Sequence, residues 1–179
     1  MTLNIIKMAF KPIGSLLGGA NSGAVRSYIG DNSGVFQRHD AVTLEAGSFV
    51  VLGTTGVRLL GVVLGAVDAA GHPASHTSGS TTTWTMTSDN ETVAARRLLV
   101  QISPFQLYSG DPDATIGTTT GSNQSGYVSD IVDEDEIDES TAALASTTTN
   151  SAQLHLWGVD PNDSGNAICN IFESLFRGN

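Results

Sequence analysis

Apolar residues fall along this chain in short runs separated by turn residues, the pattern of an all-β domain. Ala41-Val42-Thr43-Leu44 mixes apolar and polar positions and stops at Glu45-Ala46-Gly47, whose glycine can take the positive φ of a tight turn. Phe49-Val50-Val51-Leu52 then runs to Gly53-Thr54-Thr55-Gly56, a second turn at hairpin spacing. Val57 to Val67 is apolar on both parities, broken only by Arg58, Gly61 and Gly65. A helix competes for a run of this length, but β-branched valines and two glycines favour a bent strand buried on both faces. Asp68-Ala69-Ala70-Gly71-His72-Pro73 closes it as a loop. Further strands are predicted at Thr81–Met86, Arg97–Ile102, Gly126–Val132, Gln153–Val159 and Asn166–Phe176. About eight short strands, with no stretch left for crossover helices, predict an antiparallel β-barrel or sandwich.

Residues 1–30 break the pattern. Leu3, Ile5, Ile6, Met8, Phe10, Ile13, Leu16 and Leu17 are apolar, and the segment then dissolves into Gly18-Gly19-Ala20-Asn21-Ser22-Gly23. A short helix or an extended arm fits, but glycines at 14, 18, 19 and 23 would each cost a helix about 1 kcal/mol relative to alanine. The expected organisation is therefore an N-terminal arm and hinge over 1–30 and a β domain over 31–179. An apolar arm that cannot hide its own surface needs a partner. Ile5, Ile6, Met8, Phe10, Ile13, Leu16 and Leu17 are thus expected to dock on a neighbouring subunit, with packing back on the same domain as the alternative.

Charge narrows the partner. Among 179 residues, eight are Lys or Arg and eighteen Asp or Glu, a formal net charge of −10. Duplex binding rests on basic residues releasing condensed counterions, so a nucleic acid is not expected. The adjacent pair Arg96-Arg97 reads as a solvated strand start. No run reaches the roughly 18 apolar residues of a membrane helix. The N-terminal apolar run is cut by Lys7, Lys11 and Pro12, unlike a signal peptide, so a soluble, unprocessed chain is expected. Cys169 is the single cysteine, which excludes an internal disulfide, and its Ile168-Cys169-Asn170-Ile171 setting reads as a small buried strand residue.

Catalytic patterns are poorly supplied. Asp130, Asp133, Glu134, Asp135, Glu136, Asp138 and Glu139 make an acidic run, but Ile137 occupies a ligand position of an EF-hand frame begun at Asp133. A solvated acidic loop is expected there, and no metal site is assigned. His72 and His76 have a helical zinc spacing, which Pro73 opposes. His39-Asp40 could imitate part of a triad, yet no Gly-x-Ser-x-Gly elbow exists. The glycine-rich segment lacks the Gly-Lys-Ser/Thr ending of a phosphate loop. No catalytic residue and no cofactor are expected. Trp84 and Trp157, each in a predicted strand, suit a core, a subunit interface or a sugar-stacking surface, and His155, between Leu154 and Leu156, suits a surface or subunit contact.

The opening Gly34-Val35-Phe36-Gln37-Arg38-His39-Asp40-Ala41-Val42-Thr43-Leu44, with Leu59-Leu60-Gly61-Val62-Val63-Leu64-Gly65-Ala66-Val67-Asp68-Ala69-Ala70-Gly71, resembles the small head decoration (cement) proteins of tailed bacteriophages. Val100-Gln101-Ile102-Ser103-Pro104-Phe105 resembles their mid-chain strand. Leu156-Trp157-Gly158-Val159-Asp160-Pro161-Asn162-Asp163, followed by Ala167–Phe172, resembles their closing hairpin. The likeness spans roughly residues 30–179 and rests on pattern. It implies a β-barrel or sandwich, often a homotrimer, made in the bacterial cytoplasm and mounted on the outer capsid, where it bridges subunits of the major capsid protein. It transfers no catalytic residue. The expected contact set is Ile5, Ile6, Met8, Phe10, Ile13, Leu16, Leu17, Trp84, His155 and Trp157. A carbohydrate- or receptor-binding virion module is the alternative, and it requires a tryptophan on an open face.

Overall fold

A computed structural model describes residues 9–17, 24–45, 49–86, 96–113, 127–138, 141, 143–144 and 152–172, and every structural statement below concerns these. They are all-β. The strands in chain order are β1 (Lys11–Ser15), β2 (Val25–Ile29), β3 (Val35–Gln37), β4 (Ala41–Leu44) and β5 (Val50–Leu52). Next come β6 (Gly61–Val67), β7 (Thr83–Thr85), β8 (Arg97–Gln101), β9 (Gln106–Pro112) and β10 (Tyr127–Ser129). β11 (Ile131–Asp133), β12 (Glu136–Ile137), β13 (Ala143–Leu144), β14 (Leu154–Asp160) and β15 (Asp163–Ile171) complete the series.

Three sheets result. The largest runs β11-β12-β9-β15-β14-β10-β13, with β1 laid along β9 beside β12. Its path leaves β11 and returns to β10, and these two strands are separated in the chain by Asp130 alone, so the sheet is a nearly closed, barrel-like ring. The second sheet is antiparallel in the order β2-β8-β6-β4-β5. Its edges β2 and β5 meet only at the bridge Gly30–Val50, where the Asp31 N–H donates to the Val50 carbonyl at 2.9 Å. β3 and β7 form a separate two-stranded ribbon.

Two cores explain why Val57–Val67 is apolar on both parities. Ala41, Leu59 and Val62 face the ring's interior, beside Phe10, Tyr108, Ile131, Ile137, Leu154, Leu156 and Cys169. Their chain neighbours Val42, Leu60 and Val63 face the other way, onto Phe36, Val50, Trp84, Met86, Leu98 and Val100. A strand covered on both sides needs no polar face. The two glycines of this run have distinct uses: β6 shifts register against β8 between Val63 and Gly65, and a Cβ on Gly61 would collide with the Gln101 carbonyl oxygen.

Within the segment expected to form an arm and hinge, the described residues join the sheets. β1 pairs antiparallel with β9, β2 is an edge of the second sheet, and Ala9 and Phe10 are buried in the ring core. Open ladder positions along β9 outweigh the poor strand propensity of Pro12 and Gly14, and a register shift between those two residues absorbs the misfit. Residues 1–8 lie outside the described set.

Candidate interaction face

The outer surface of the ring across β1, β9, β15 and β14 gathers most of the large side chains that the core leaves uncovered. Tyr108, Leu154, Leu156, Cys169 and Ile171 point inward, so strand alternation turns Leu107, His155, Trp157, Asn170 and Phe172 outward. The Leu16 N–H donates to the Phe105 carbonyl at 2.9 Å, and the Phe172 N–H donates to that of Gln153 at 2.8 Å. Continuing the β1–β9 and β9–β15 registers past their last pairs sets Leu16, Phe105 and Phe172 in one row across three strands. Ile13, Leu16, Leu17, Phe105, Trp157 and Phe172 are between 37% and 73% exposed. A contiguous apolar patch on a soluble monomer, typically at most about 300–600 Å², is often functional.

Polar contacts fix the patch in place. The Trp157 Nε1–H donates to Asn170 Oδ1 at 2.7 Å, and Asn170 Nδ2 donates to the Pro104 carbonyl at 2.9 Å, which anchors the loop that carries Phe105. His155 packs edge-on against Trp157 at a centroid distance of 4.6 Å and stands 6.0 Å from Phe172. Of the contact residues expected from sequence, Ile13, Leu16, Leu17, His155 and Trp157 meet on this side of the ring. Phe10 and Trp84 do not: each fills one of the chain's own cores, because each faces inward from its strand or strand end. Ile5, Ile6 and Met8 lie outside the described residues. Phe105 and Phe172 were not singled out; each is a lone aromatic at a strand end, which carries no periodic signal of its own.

The polar constellations sit elsewhere. The acidic run is half built into structure: β11 and β12 pair as a hairpin, with Ile131 and Ile137 in the ring core. At its turn Asp133, Asp135 and Glu136 bring one carboxylate oxygen each within 4.8 Å of one another. Next to it, Asp40 is buried, and its Oδ2 accepts the Gln37 N–H at 2.6 Å. Burial pushes the Asp40 carboxyl up to about 7; the Gln37 N–H opposes this, and Glu134, Asp135 and Asp133 add to it. His39 is driven the other way, to about 4, by burial and by the charges of Arg38 and Lys11.

His39 serves as a backbone junction. It holds φ = +80°, accepts the Phe10 N–H at 3.1 Å and donates its own N–H to the Val63 carbonyl at 2.7 Å. Burial in the ring core pushes the Cys169 thiol up to about 12, away from the thiolate form. His72 lies 3.6 Å from Asp68, whereas His76 stacks on Trp84 at 4.8 Å, so the two histidines engage different partners.

No family model, curated protein or solved structure matches this chain.

Proposed function

We propose that this chain is a non-enzymatic assembly protein of the capsid decoration type, docking through the outer face of β1, β9, β15 and β14. The carrying observation is the convergence there of Ile13, Leu16, Leu17, Phe105, Trp157 and Phe172 from four separate chain segments. A clamp on a pressurised shell gains its free energy from contact area, and a central aromatic cluster with a polar rim is the usual anatomy of such a contact. In this reading the partners are the major capsid protein and further copies of the chain, as a homotrimer, on the outside of a phage head. The chain's net charge of −10 would keep loaded particles apart.

Sedimentation with phage heads that lack a decoration protein tests the reading. The expected result is saturable co-sedimentation, reduced at least tenfold by Phe105→Asp and by Trp157→Asp, both of which alter exposed side chains. Absence of binding to heads, together with a monomeric state in solution, overturns it. A sugar-binding role is the second reading, supported by Trp157 standing 40% exposed on an open face beside His155. Binding to a glycan array that disappears in Trp157→Ala would select it.

A further inference from the structure

A separate groove lies between the ribbon and the second sheet, with a volume of about 510 Å³ and no residue in common with the aromatic face. Its lining includes the apolar Phe36, Leu44, Leu52 and Val57 and the carboxylate residues Asp31 and Glu45. Two strand edges border it. In β3 the Gly34 carbonyl accepts the Met86 N–H and the Arg38 N–H donates to the Thr82 carbonyl, so residues 34, 36 and 38 face β7. Alternation then turns the N–H and C=O of Val35 toward the groove. In β5 the Val50 carbonyl faces away from β4 to meet Asp31, and Leu52, two residues on, shares that direction. The bridge Gly30–Val50 pins one end of the slot and leaves the edges beyond it apart.

We propose that this groove is a strand-acceptor site for an extended segment of a partner protein in which basic and apolar side chains alternate. Backbone pairing to the β5 edge supplies affinity without regard to sequence, and alternate side chains supply the selection. One face of an added strand would reach the apolar lining from Phe36, Leu44 and Leu52. The opposite face would meet Asp31 and Glu45, which call for lysine or arginine. An acidic segment would be repelled both by these two carboxylates and by the chain's overall charge of −10. Val35 is 51% exposed and Val57 39%, so the apolar lining is open to such a segment.

The test is fluorescence anisotropy of the intact protein with a labelled Val-Lys-Val-Lys-Val-Lys-Val peptide, its Glu counterpart, and a version N-methylated at alternate amides. The Lys peptide is expected to bind at micromolar Kd, with the Glu and N-methylated peptides at least tenfold weaker. The double variant Asp31→Lys/Glu45→Lys should lose at least tenfold, while the charge-matched Asp113→Lys/Asp163→Lys, away from the groove, loses less than threefold. Val57→Arg, a plug at an exposed site, should also weaken binding if folding by circular dichroism is unchanged. Equal losses in the two double variants, equal binding of the N-methylated peptide, or no binding below millimolar concentration would each overturn the proposal. Self-association abolished by Asp31→Lys/Glu45→Lys would assign the groove to a second copy of the chain and overturn the partner assignment. Head binding through Trp157 is read separately, so failure of one surface leaves the other standing.

Discussion

The ring and the second sheet each come close to closing, and they use opposite means. In the ring, side chains seal the junction at Asp130. Gln153, buried at 1% exposure, accepts the N–H groups of Ile131 and Gly56 through Oε1 and donates through Nε2 to the carbonyls of Thr54 and Val57. Its own N–H donates to Asp130 Oδ1, while the Thr141 hydroxyl accepts the Asp130 N–H at 2.9 Å. In the second sheet a single backbone bridge at Gly30 does the joining, and the groove is left beside it. A side-chain seal pairs the N–H groups of Asp130 and Ile131 and leaves the ring's outside uncovered. A backbone bridge leaves strand edges that another chain can use.

Gln153→Leu should break the first half of this comparison with the largest effect. It leaves the buried Ile131 N–H without its partner, at a cost of about 1–3 kcal/mol, and removes three more bonds, to the Gly56 N–H and the Thr54 and Val57 carbonyls of the exposed loop, each contributing about 0.5–1.5 kcal/mol. A loss on the order of 3 kcal/mol or more is expected by urea unfolding. A change under about 1 kcal/mol would show that the seal is not what closes the ring.

Asp40 tests the place where the two halves join, since its carbonyl accepts the Val63 N–H and the next residue, Ala41, donates to the Glu134 carbonyl. The folded carboxyl titrates near 7 against an ordinary value of 3.8, so the folded state holds the proton more tightly. This group's contribution is therefore most favourable below about pH 4 and is lost as pH rises to about 7. His39, with a folded value near 4 against 6.5, slopes oppositely: its contribution is lost as pH falls from 6.5 toward 4. Asp40→Asn keeps an acceptor for the Gln37 N–H and removes the charge. It should raise stability at pH 8 by on the order of 2 kcal/mol and leave a curve that rises from pH 4 to 6.5. An unchanged pH profile in thermal melts would contradict it.

Gly30→Ala addresses the backbone bridge. A Cβ there meets Met86 and Phe36, side chains that can give way, so a loss of about 1 kcal/mol is expected, smaller than that at Gln153. Trp157→Ala should be the mildest for folding, within about 1 kcal/mol, because it removes an exposed ring and one hydrogen bond to Asn170. A large loss of stability there would mean that the aromatic face is structural.

The legible parts of the fold were those in which pattern and packing agree. The strand at 41–44 and the run ending at Val67 were readable because cores cover both faces, so that almost every position is apolar. β9 escaped notice because Gln106-Leu107-Tyr108-Ser109-Gly110-Asp111-Pro112 reads as a turn. Ser109 bonds the Asn166 amide at 3.2 Å, and Gly110 is small because Ile137 and Phe10 crowd its α-carbon. β1 escaped for the complementary reason: its pairing partner lies about ninety residues away, beyond the reach of local propensity. Trp157 and His155 are neighbours in one strand, but the alignment of Leu16 with Phe105 beside Phe172 depends on that same distant pairing.

Val62 and Val63 are adjacent in the chain yet belong to different cores. Sliding β6 by one residue would exchange the occupants of both interiors at once, so each interior proofreads the alignment of the other. Neither half can melt while the other keeps its lining. Calorimetry should therefore record one transition, and damage introduced on either side of that wall will be felt on both.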